Sequence, residues 1–207
     1  MLGFSILMVG MQGMSGAVSG LKDDAHFVNM LTMFSNPVMG ILVGILFTAV
    51  LQSASASIGI LQALCATGKV TYASAVPIIL GQNIGTCVTA MMSGVGAGKN
   101  AKRAATIHLM FNVIGVAVFM AVFYTIHFVT PFAFLGESAN SAGIALIHTC
   151  FNILATLVLL PFANQLERLS FILIKPDDDE NARKEEDEIF ARLDERLLAT
   201  PSFALEQ

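Results

Sequence analysis

Charged residues are scarce in this sequence until its last stretch. They make up 13% of the 207 residues, against roughly 25% in a soluble domain. Most of them lie in residues 175–207, whereas residues 1–174 are dominated by apolar side chains. This imbalance excludes an ordinary soluble domain for residues 1–174. It predicts an all-α, polytopic membrane domain there, followed by a soluble segment over residues 175–207.

The sequence also lacks basic and metal-binding patterns. No cluster of Lys and Arg residues forms the basic patch that nucleic-acid binding requires, and the net charge of −4 arises mostly from the acidic C-terminal segment. The three cysteines, Cys65, Cys87 and Cys150, lie in apolar segments without metal-ligand spacing. They are therefore predicted to be small buried hydrophobes. We expect no nucleic-acid partner and no cofactor.

Apolar segments divide the first 174 residues into predicted helices in a lipid bilayer. Residues 1–20 are long enough for one span, and no basic lead marks them as a signal peptide. Residues 104–125 and 142–163 are predicted to be further spans. Residues 71–92 form another apolar segment, and residues 164–174 are predicted to continue as an amphipathic helix at the interface.

Positive charges flank these spans on one side only. Lys99, Lys102 and Arg103 precede one span, and Arg168 and Lys175 follow the last one. The loop between the two spans has no Lys or Arg. By the positive-inside rule the C-terminus is predicted to be cytoplasmic.

The C-terminal segment begins with a charged linker over residues 176–188. Ile189, Phe190, Leu193 and Leu197 then recur at helical spacing among charged residues, which predicts one amphipathic helix. Nothing else in the soluble segment is available for it to pack against. It is expected to be the first helix of a truncated cytoplasmic domain.

A polar string interrupts the apolar run that begins at Asn36-Pro37. Its residues, Gln52-Ser53-Ala54-Ser55-Ala56-Ser57, lie between the uncharged segments 37–51 and 58–68. The whole run is too long for one span and too short for two spans with a turn. It predicts a re-entrant hairpin of two half-helices whose tip is the polar string. Non-helical backbone is tolerated at membrane depth only where it is buried in protein or faces water.

The predicted tip carries the groups that ion and anion binding need. Freed carbonyls, Ser hydroxyls and the Gln amide oxygen are hard ligands that suit Na⁺, and the N-terminus of the second half-helix attracts an anion. Gln52, Ser53 and Ser55 are therefore predicted to bind substrate and Na⁺, with Ser57 in the same site. The alternative is that these side chains join helices, at about 0.6 kcal/mol per contact.

A second polar segment interrupts residues 71–92. Asn83, Thr86 and Thr89 could face the same cavity as the polar string. Alternatively, Gly81 and Gly85 form a small-xxx-small pair in a kinked packing helix. The sequence leaves both interpretations open.

One motif is repeated 40 residues apart. Ile107-His108-x-x-Phe111-Asn112 recurs as Ile147-His148-x-x-Phe151-Asn152. Residues four apart share one helix face. The pairs His108/Asn112 and His148/Asn152 therefore either support the site from behind or join two related helices by hydrogen bonds, and we favour the helix contacts.

A short string near the start suggests an enzyme as an alternative. Gly13-Met14-Ser15-Gly16 matches the G-x-S-G pattern of intramembrane serine proteases, and Ser15 with His108 or His148 would form a dyad. Close packing of glycines explains the string better.

Taken in order, these motifs resemble those of the sodium-dependent phosphate cotransporter family (type II, Na⁺/Pi). Gln52, Ser53 and Ser55 match its Gln-Ser-Ser-Ser signature, with Ala54 in place of one Ser. Residues 81–86 match its Gly-x-Asn-Ile-Gly-Thr segment, and residues 108–112 match a His-x-x-Phe-Asn string. The missing hydroxyl at Ala54 is expected to alter ion affinity or stoichiometry.

The resemblance implies Na⁺-coupled transport of inorganic phosphate by alternating access, in the cytoplasmic (inner) membrane. It implies two inverted repeats, each with one signature. This chain has one signature. It is therefore expected to be an internal fragment that contains one repeat, which an upstream repeat or a second protomer would complete. Relatives also continue into a PhoU-like domain, which the C-terminal helix would begin. A phosphate-responsive membrane regulator that does not transport is the remaining alternative.

Overall fold

Eight α-helices account for most of the residues that the computed structural model describes, which are 2–18 and 36–175. Two 3-10 turns, Ala133–Gly136 and Leu160–Phe162, and one isolated bridge between Thr71 and Ser138 complete this part of the chain. The predicted linker over residues 176–188 and the helix after it lie outside the described residues. The helices are α1 Leu2–Val18, α2 Pro37–Leu51, α3 Ala54–Cys65, α4 Tyr72–Gly85, α5 Cys87–Gly94, α6 Lys99–Val129, α7 Ser141–Leu159 and α8 Ala163–Leu173.

Three helical segments among the described residues are long and apolar enough to cross a membrane. They are Tyr72–Gly94, Lys99–Val129 and Ser141–Leu173. The prediction of an all-α, polytopic membrane fold is confirmed at this level. The segment Tyr72–Gly94 comprises α4 and α5, which meet at Thr86. The backbone of Thr86 stays helical (φ −62°, ψ −26°), so the predicted interruption is a slight irregularity and not an unwound stretch.

The polar string breaks the helix over only two residues. Gln52 has φ 53° and ψ 24°, a left-handed conformation that ends α2. Ser53 is extended, and its hydroxyl accepts a hydrogen bond of 3.3 Å from the Ala56 N–H, which caps α3. Ser55 and Ser57 therefore lie inside α3, whereas the sequence placed them in the hairpin tip. The reason is that a Ser cap satisfies the first turn, so the helix begins immediately after it.

Helices α2 and α4 contact each other through their backbones. A Cβ on Gly44 would overlap the Ile78 carbonyl oxygen, and a Cβ on Gly81 would overlap that of Ile41. A Cβ on Gly85 would lie 2.7 Å from the Ile45 carbonyl oxygen. Only glycine permits this approach. The packing interpretation of Gly81 and Gly85 therefore holds.

Two apolar clusters surround α4. One joins α3, α4 and the start of α7, and the other joins α4, α6 and α7. Ile79 and Ile144 are fully buried in the first cluster, and Leu80 and Phe151 in the second. Cys65 and Cys87 are buried as predicted, but Cys150 is exposed on α7, so its predicted burial is wrong. One apolar cysteine on an outward helix face suits a bilayer-facing surface.

Helix ends follow the local sequence. Asn36 caps α2 by accepting a hydrogen bond of 3.0 Å from the Val38 N–H, with Pro37 in the first turn. Asn140 caps α7 in the same way, through the Gly143 N–H at 2.8 Å. The start of α2 at Asn36-Pro37 is as the sequence predicts.

The beginning of α6 is joined to the end of α8. Arg103, only 3% exposed, donates from Nε to the Ile174 carbonyl oxygen at 3.1 Å, and its guanidinium lies 4.2 Å from the Phe171 ring centroid. Lys99 Nζ donates to the Lys175 carbonyl oxygen at 2.8 Å. Cations near a helix N-terminus oppose its dipole, whereas they complement the carbonyls that end a helix. These contacts therefore join α8 firmly to α6.

Candidate functional site

The break between α2 and α3 presents polar groups on the surface of the described structure. Gln52 is exposed, and its Nε2 lies 3.7 Å from Met92 Sδ. The Ser53 and Ser55 hydroxyl oxygens are 3.4 Å apart. Of the three residues predicted to bind substrate and Na⁺, Ser53 and Ser55 thus have neighbouring hydroxyls, whereas the Gln52 amide contacts Met92 on α5.

The N-terminus of α3 opens toward the same edge. The first N–H groups of a helix have no acceptor within that helix. Here the Ala56 N–H is used by the Ser53 hydroxyl and the Ser57 N–H by the Ser53 carbonyl oxygen, at 3.0 Å. The N–H groups of Ala54 and Ser55 precede these and lie at the positive end of the helix dipole. Such an end is suited to an anion.

Buried polar groups lie behind the break. The Thr48 and Ser57 hydroxyls are 2.7 Å apart, and both side chains are fully buried. Gln82 on α4 donates from Nε2 to the Ser57 carbonyl oxygen at 3.1 Å. Ser57 therefore does not face the exposed edge with Ser53 and Ser55. It links the break to α2 and α4.

Gln82 is a residue that the sequence reasoning missed. It is 2% exposed, and its Oε1 has no hydrogen-bond partner among the described residues. The Ser57 carbonyl oxygen can only accept a hydrogen bond, so the Gln82 atom that faces it must be the donor Nε2. Oε1 is therefore the atom left without a partner. A buried amide oxygen without a partner is costly and marks a place where a ligand or water is expected. The signal was available: a Gln in an apolar segment next to Asn83 raises the same question as Gln52.

Asn83 and Thr86 form hydrogen bonds away from the break. Asn83 donates from Nδ2 to the Ile79 carbonyl oxygen at 2.9 Å, and its Oδ1 accepts from Asn152 Nδ2 at 3.4 Å. Thr86 donates to the Asn83 carbonyl oxygen at 2.6 Å. Both residues thus form hydrogen bonds within α4, and Asn83 also bonds to α7. Neither contacts the break directly; the residue of α4 that does is the neighbouring Gln82.

The repeated His and Asn residues differ from one another in their roles. Asn112 and Asn152 each donate from Nδ2 to the carbonyl oxygen of the His four residues earlier, at 3.0 Å and 2.8 Å. His108 is exposed and His148 is half-buried. Neither imidazole forms a hydrogen bond within residues 36–175. In each pair, therefore, the histidine acts through its backbone carbonyl oxygen as an acceptor, and the asparagine acts through its side-chain amide as a donor.

A membrane-spanning helical fold with a broken helix pair that presents a helix N-terminus and oxygen donors is characteristic of secondary transporters. Comparison with known families agrees. Residues 6–156 match the family described as Na+/Pi-cotransporter, and the chain belongs to this family. Because it is a family of transporters, the chain is not an enzyme. Ser15 lies in α1, and its side chain is outside what the structure describes.

Several characterised and uncharacterised proteins are similar to this chain. The uncharacterised protein YqeW of Bacillus subtilis is 37% identical over 134 residues, which cover 65% of this chain and 43% of YqeW. Human sodium-dependent phosphate transport protein 2B is 35% identical over 116 residues, covering 53% of this chain and 17% of its own length. YjbB of Salmonella typhimurium, provisionally named an inorganic phosphate export protein, is 27% identical over 169 residues, covering 79% and 29%.

The chain thus spans less than half the length of each of these relatives. No solved structure matches it significantly.

Proposed function

We propose that this chain forms one half of a Na⁺-coupled transporter of inorganic phosphate. The observation that supports this most directly is the break at Gln52 and Ser53. It places the N-terminus of α3 beside three polar side chains, in front of the buried Gln82 amide. The identity of the two ions is inferred from family membership, because phosphate and Na⁺ are the substrates that the family name gives.

The phosphate arm of the proposal uses the N-terminus of α3. The N–H groups of Ala54 and Ser55 and the hydroxyls of Ser53 and Ser55 donate to phosphate oxygens. No Arg is needed, because N–H donors and the helix dipole stabilise an anion that still has to leave the site. A permanently charged partner would slow its release.

The Na⁺ arm uses oxygen atoms. The Gln52 amide, Ser53 and Ser55 provide the predicted ligands, and the unpaired Gln82 Oε1 is a further oxygen in the polar groups behind them. Neutral hydroxyl and amide oxygens suit a hard alkali cation. Thr86 and Asn83 then brace α4 behind the site.

The break is proposed to lie within the membrane as the tip of a re-entrant hairpin. Helix α2 has 15 residues and α3 has 12, about 22 Å and 18 Å at 1.5 Å per residue. Neither length reaches the roughly 30 Å of a bilayer core. The C-terminus is proposed to be cytoplasmic, because the flanking Lys and Arg residues lie on that side.

A complete transport path requires a second half. An upstream repeat or a second copy of the chain would supply the facing Gln-Ser signature, and substrate would bind between the two. The continuation into a PhoU-like domain stays a prediction from the resemblance.

Phosphate flux in proteoliposomes tests the proposal. The purified protein is reconstituted with its second half present, and ³²P-phosphate movement is measured with and without a Na⁺ gradient, in both gradient directions. We expect Na⁺-dependent flux that Ser53→Ala reduces strongly. Ser93→Ala is the matched control, because this exposed hydroxyl on α5 only donates to the Thr89 carbonyl oxygen. Flux that is unchanged without Na⁺ would exclude the coupling, and phosphate binding without any flux would favour the regulator.

A further inference from the structure

Helices α6 and α7 cross at equivalent positions of the repeated motif. A Cβ on Gly115 would lie 3.3 Å from the Ala155 Cβ, and these two positions are 40 residues apart like the motifs themselves. The Phe119 and Phe151 rings pack edge to face, four residues beyond and four before the crossing, with centroids 5.4 Å apart. These two contacts describe antiparallel helices that approach most closely at Gly115 and Ala155.

The asparagine of each motif lies three residues before the crossing. Because the helices are antiparallel, the two amides lie on opposite sides of the crossing. Each motif contacts the segment formed by α4 and α5, at a different level. Asn152 reaches Asn83 Oδ1 at 3.4 Å. Asn112 Nδ2 and the Cys87 thiol share one acceptor, the His108 carbonyl oxygen, at 3.0 Å and 3.6 Å.

Asn83, Asn112 and Cys87 are all buried. Because lipid offers no substitute donor or acceptor, each amide there must find a protein partner. Two contacts on either side of Thr86, the point where α4 meets α5, restrain that junction more than one contact would.

We propose that Asn112 and Asn152 are positioning residues that together hold the α4–α5 junction. Gln82 is the neighbour of Asn83, and its Nε2 donates to Ser57 behind the break. A junction held at Asn83 and Cys87 therefore fixes where Gln82 presents its free oxygen. The effect on transport rests on the function proposed above, whereas the restraint of the junction does not.

The transport consequence is tested with Asn152→Leu in proteoliposomes. Loss of about one neutral hydrogen bond corresponds to roughly a fivefold change in an equilibrium constant. We expect the half-saturating Na⁺ concentration to rise about fivefold, with little change in maximal rate, because the site is displaced and not removed. Asn152→Gln keeps the amide and is expected to restore part of the affinity. Thr156→Val is the matched control: its exposed hydroxyl only donates to the Asn152 carbonyl oxygen.

Combining substitutions shows whether Asn152 acts through Asn83. Asn83→Leu with Asn152→Leu is expected to be no worse than Asn83→Leu alone, since the second change removes a contact already lost. If the changes that the two substitutions make in the half-saturating Na⁺ concentration multiply, the residues act independently and the proposal is overturned.

Thiol labelling tests the restraint without any transport. In a Cys65→Ala, Cys150→Ser background, Cys87 is the single native thiol. Its reaction with a membrane-permeant maleimide is expected to be slow, and to become several-fold faster in Asn112→Leu and Asn152→Leu but not in Thr156→Val. Unchanged labelling in both Asn variants would overturn the proposal. Absence of Na⁺-dependent flux in the unsubstituted protein would instead overturn the proposed function and leave this assay decisive for the junction.

Discussion

The hydroxyls of Thr48 and Ser57 form a hydrogen bond of 2.7 Å across the break, with Thr48 one turn before the end of α2 and Ser57 in the first turn of α3. Both side chains are inaccessible to solvent. The bond fixes the angle at which α3 leaves α2. Together with the Gln82 hydrogen bond to the Ser57 carbonyl oxygen, it holds the N-terminus of α3 in place.

Removing either hydroxyl is expected to destabilise the protein. Thr48→Val or Ser57→Ala leaves the other hydroxyl buried and unpaired, which costs about 1–3 kcal/mol. The double variant is expected to lose less than the sum, because no unpaired hydroxyl remains. Thermal unfolding in detergent measures these differences. Thr125→Val, an exposed hydroxyl bonded within α6, should change the midpoint little, and strictly additive losses would contradict the prediction.

The crossing of α2 and α4 is expected to tolerate no side chain. Gly44→Ala or Gly81→Ala would place a methyl group on a backbone carbonyl oxygen, and no rotamer change can relieve that contact. We expect the helices to separate, at a cost of at least about 1–3 kcal/mol, with loss of Na⁺-dependent flux. Gly10→Ala on α1 meets no atom within 4 Å and serves as control. Normal unfolding midpoints in the two crossing variants would show that the helices are less close than described.

Gln52 allows its backbone and side-chain roles to be separated. Gln52→Gly keeps the left-handed conformation at no steric cost and removes the amide, so we expect normal stability with weaker Na⁺ dependence. Gln52→Ile is expected to cost roughly 1–2 kcal/mol in addition, since a β-branched residue resists positive φ. Unfolding midpoints and Na⁺ titrations of flux are compared for both variants. Equal stability of the two would mean that the break does not require its left-handed residue.

The contact between α6 and α8 is expected to depend on arginine specifically. Arg103→Gln loses the cation that lies against the Phe171 ring, and Arg103→Lys cannot reproduce the planar guanidinium. We expect a loss of roughly 2 kcal/mol for Arg103→Gln and a partial loss for Arg103→Lys. Distances between spin labels on α6 and α8 should broaden in both. Lys102→Gln, an exposed neighbour, is the control, and unbroadened distances in Arg103→Gln would contradict the prediction.

The helix starts follow from the local sequence. The burial and partners of individual polar side chains depend instead on contacts with other helices. Asn36-Pro37 begins α2 where capping and proline geometry require it, and α2 ends at Leu51, directly before the polar string. The extent of the break was overestimated, because four more residues of the polar string can be helical once Ser53 caps them. The burial of Ser57 depends on Thr48 and Gln82, which come from other helices. Gln82 could have been noticed from its place beside Asn83 in an apolar segment, but only the structure shows that its Oε1 has no partner among the described residues.

Backbone contact at the three glycines also limits which parts of the protein can move. Side-chain interfaces slide by small rotamer changes, but carbonyl oxygens pressed against glycine Cα atoms leave no such freedom. Helices α2 and α4 must therefore shift as one rigid body, carrying the polar break with them. Any opening to one side of the membrane and then the other has to take place at the boundaries of this pair, and hinges should be sought there.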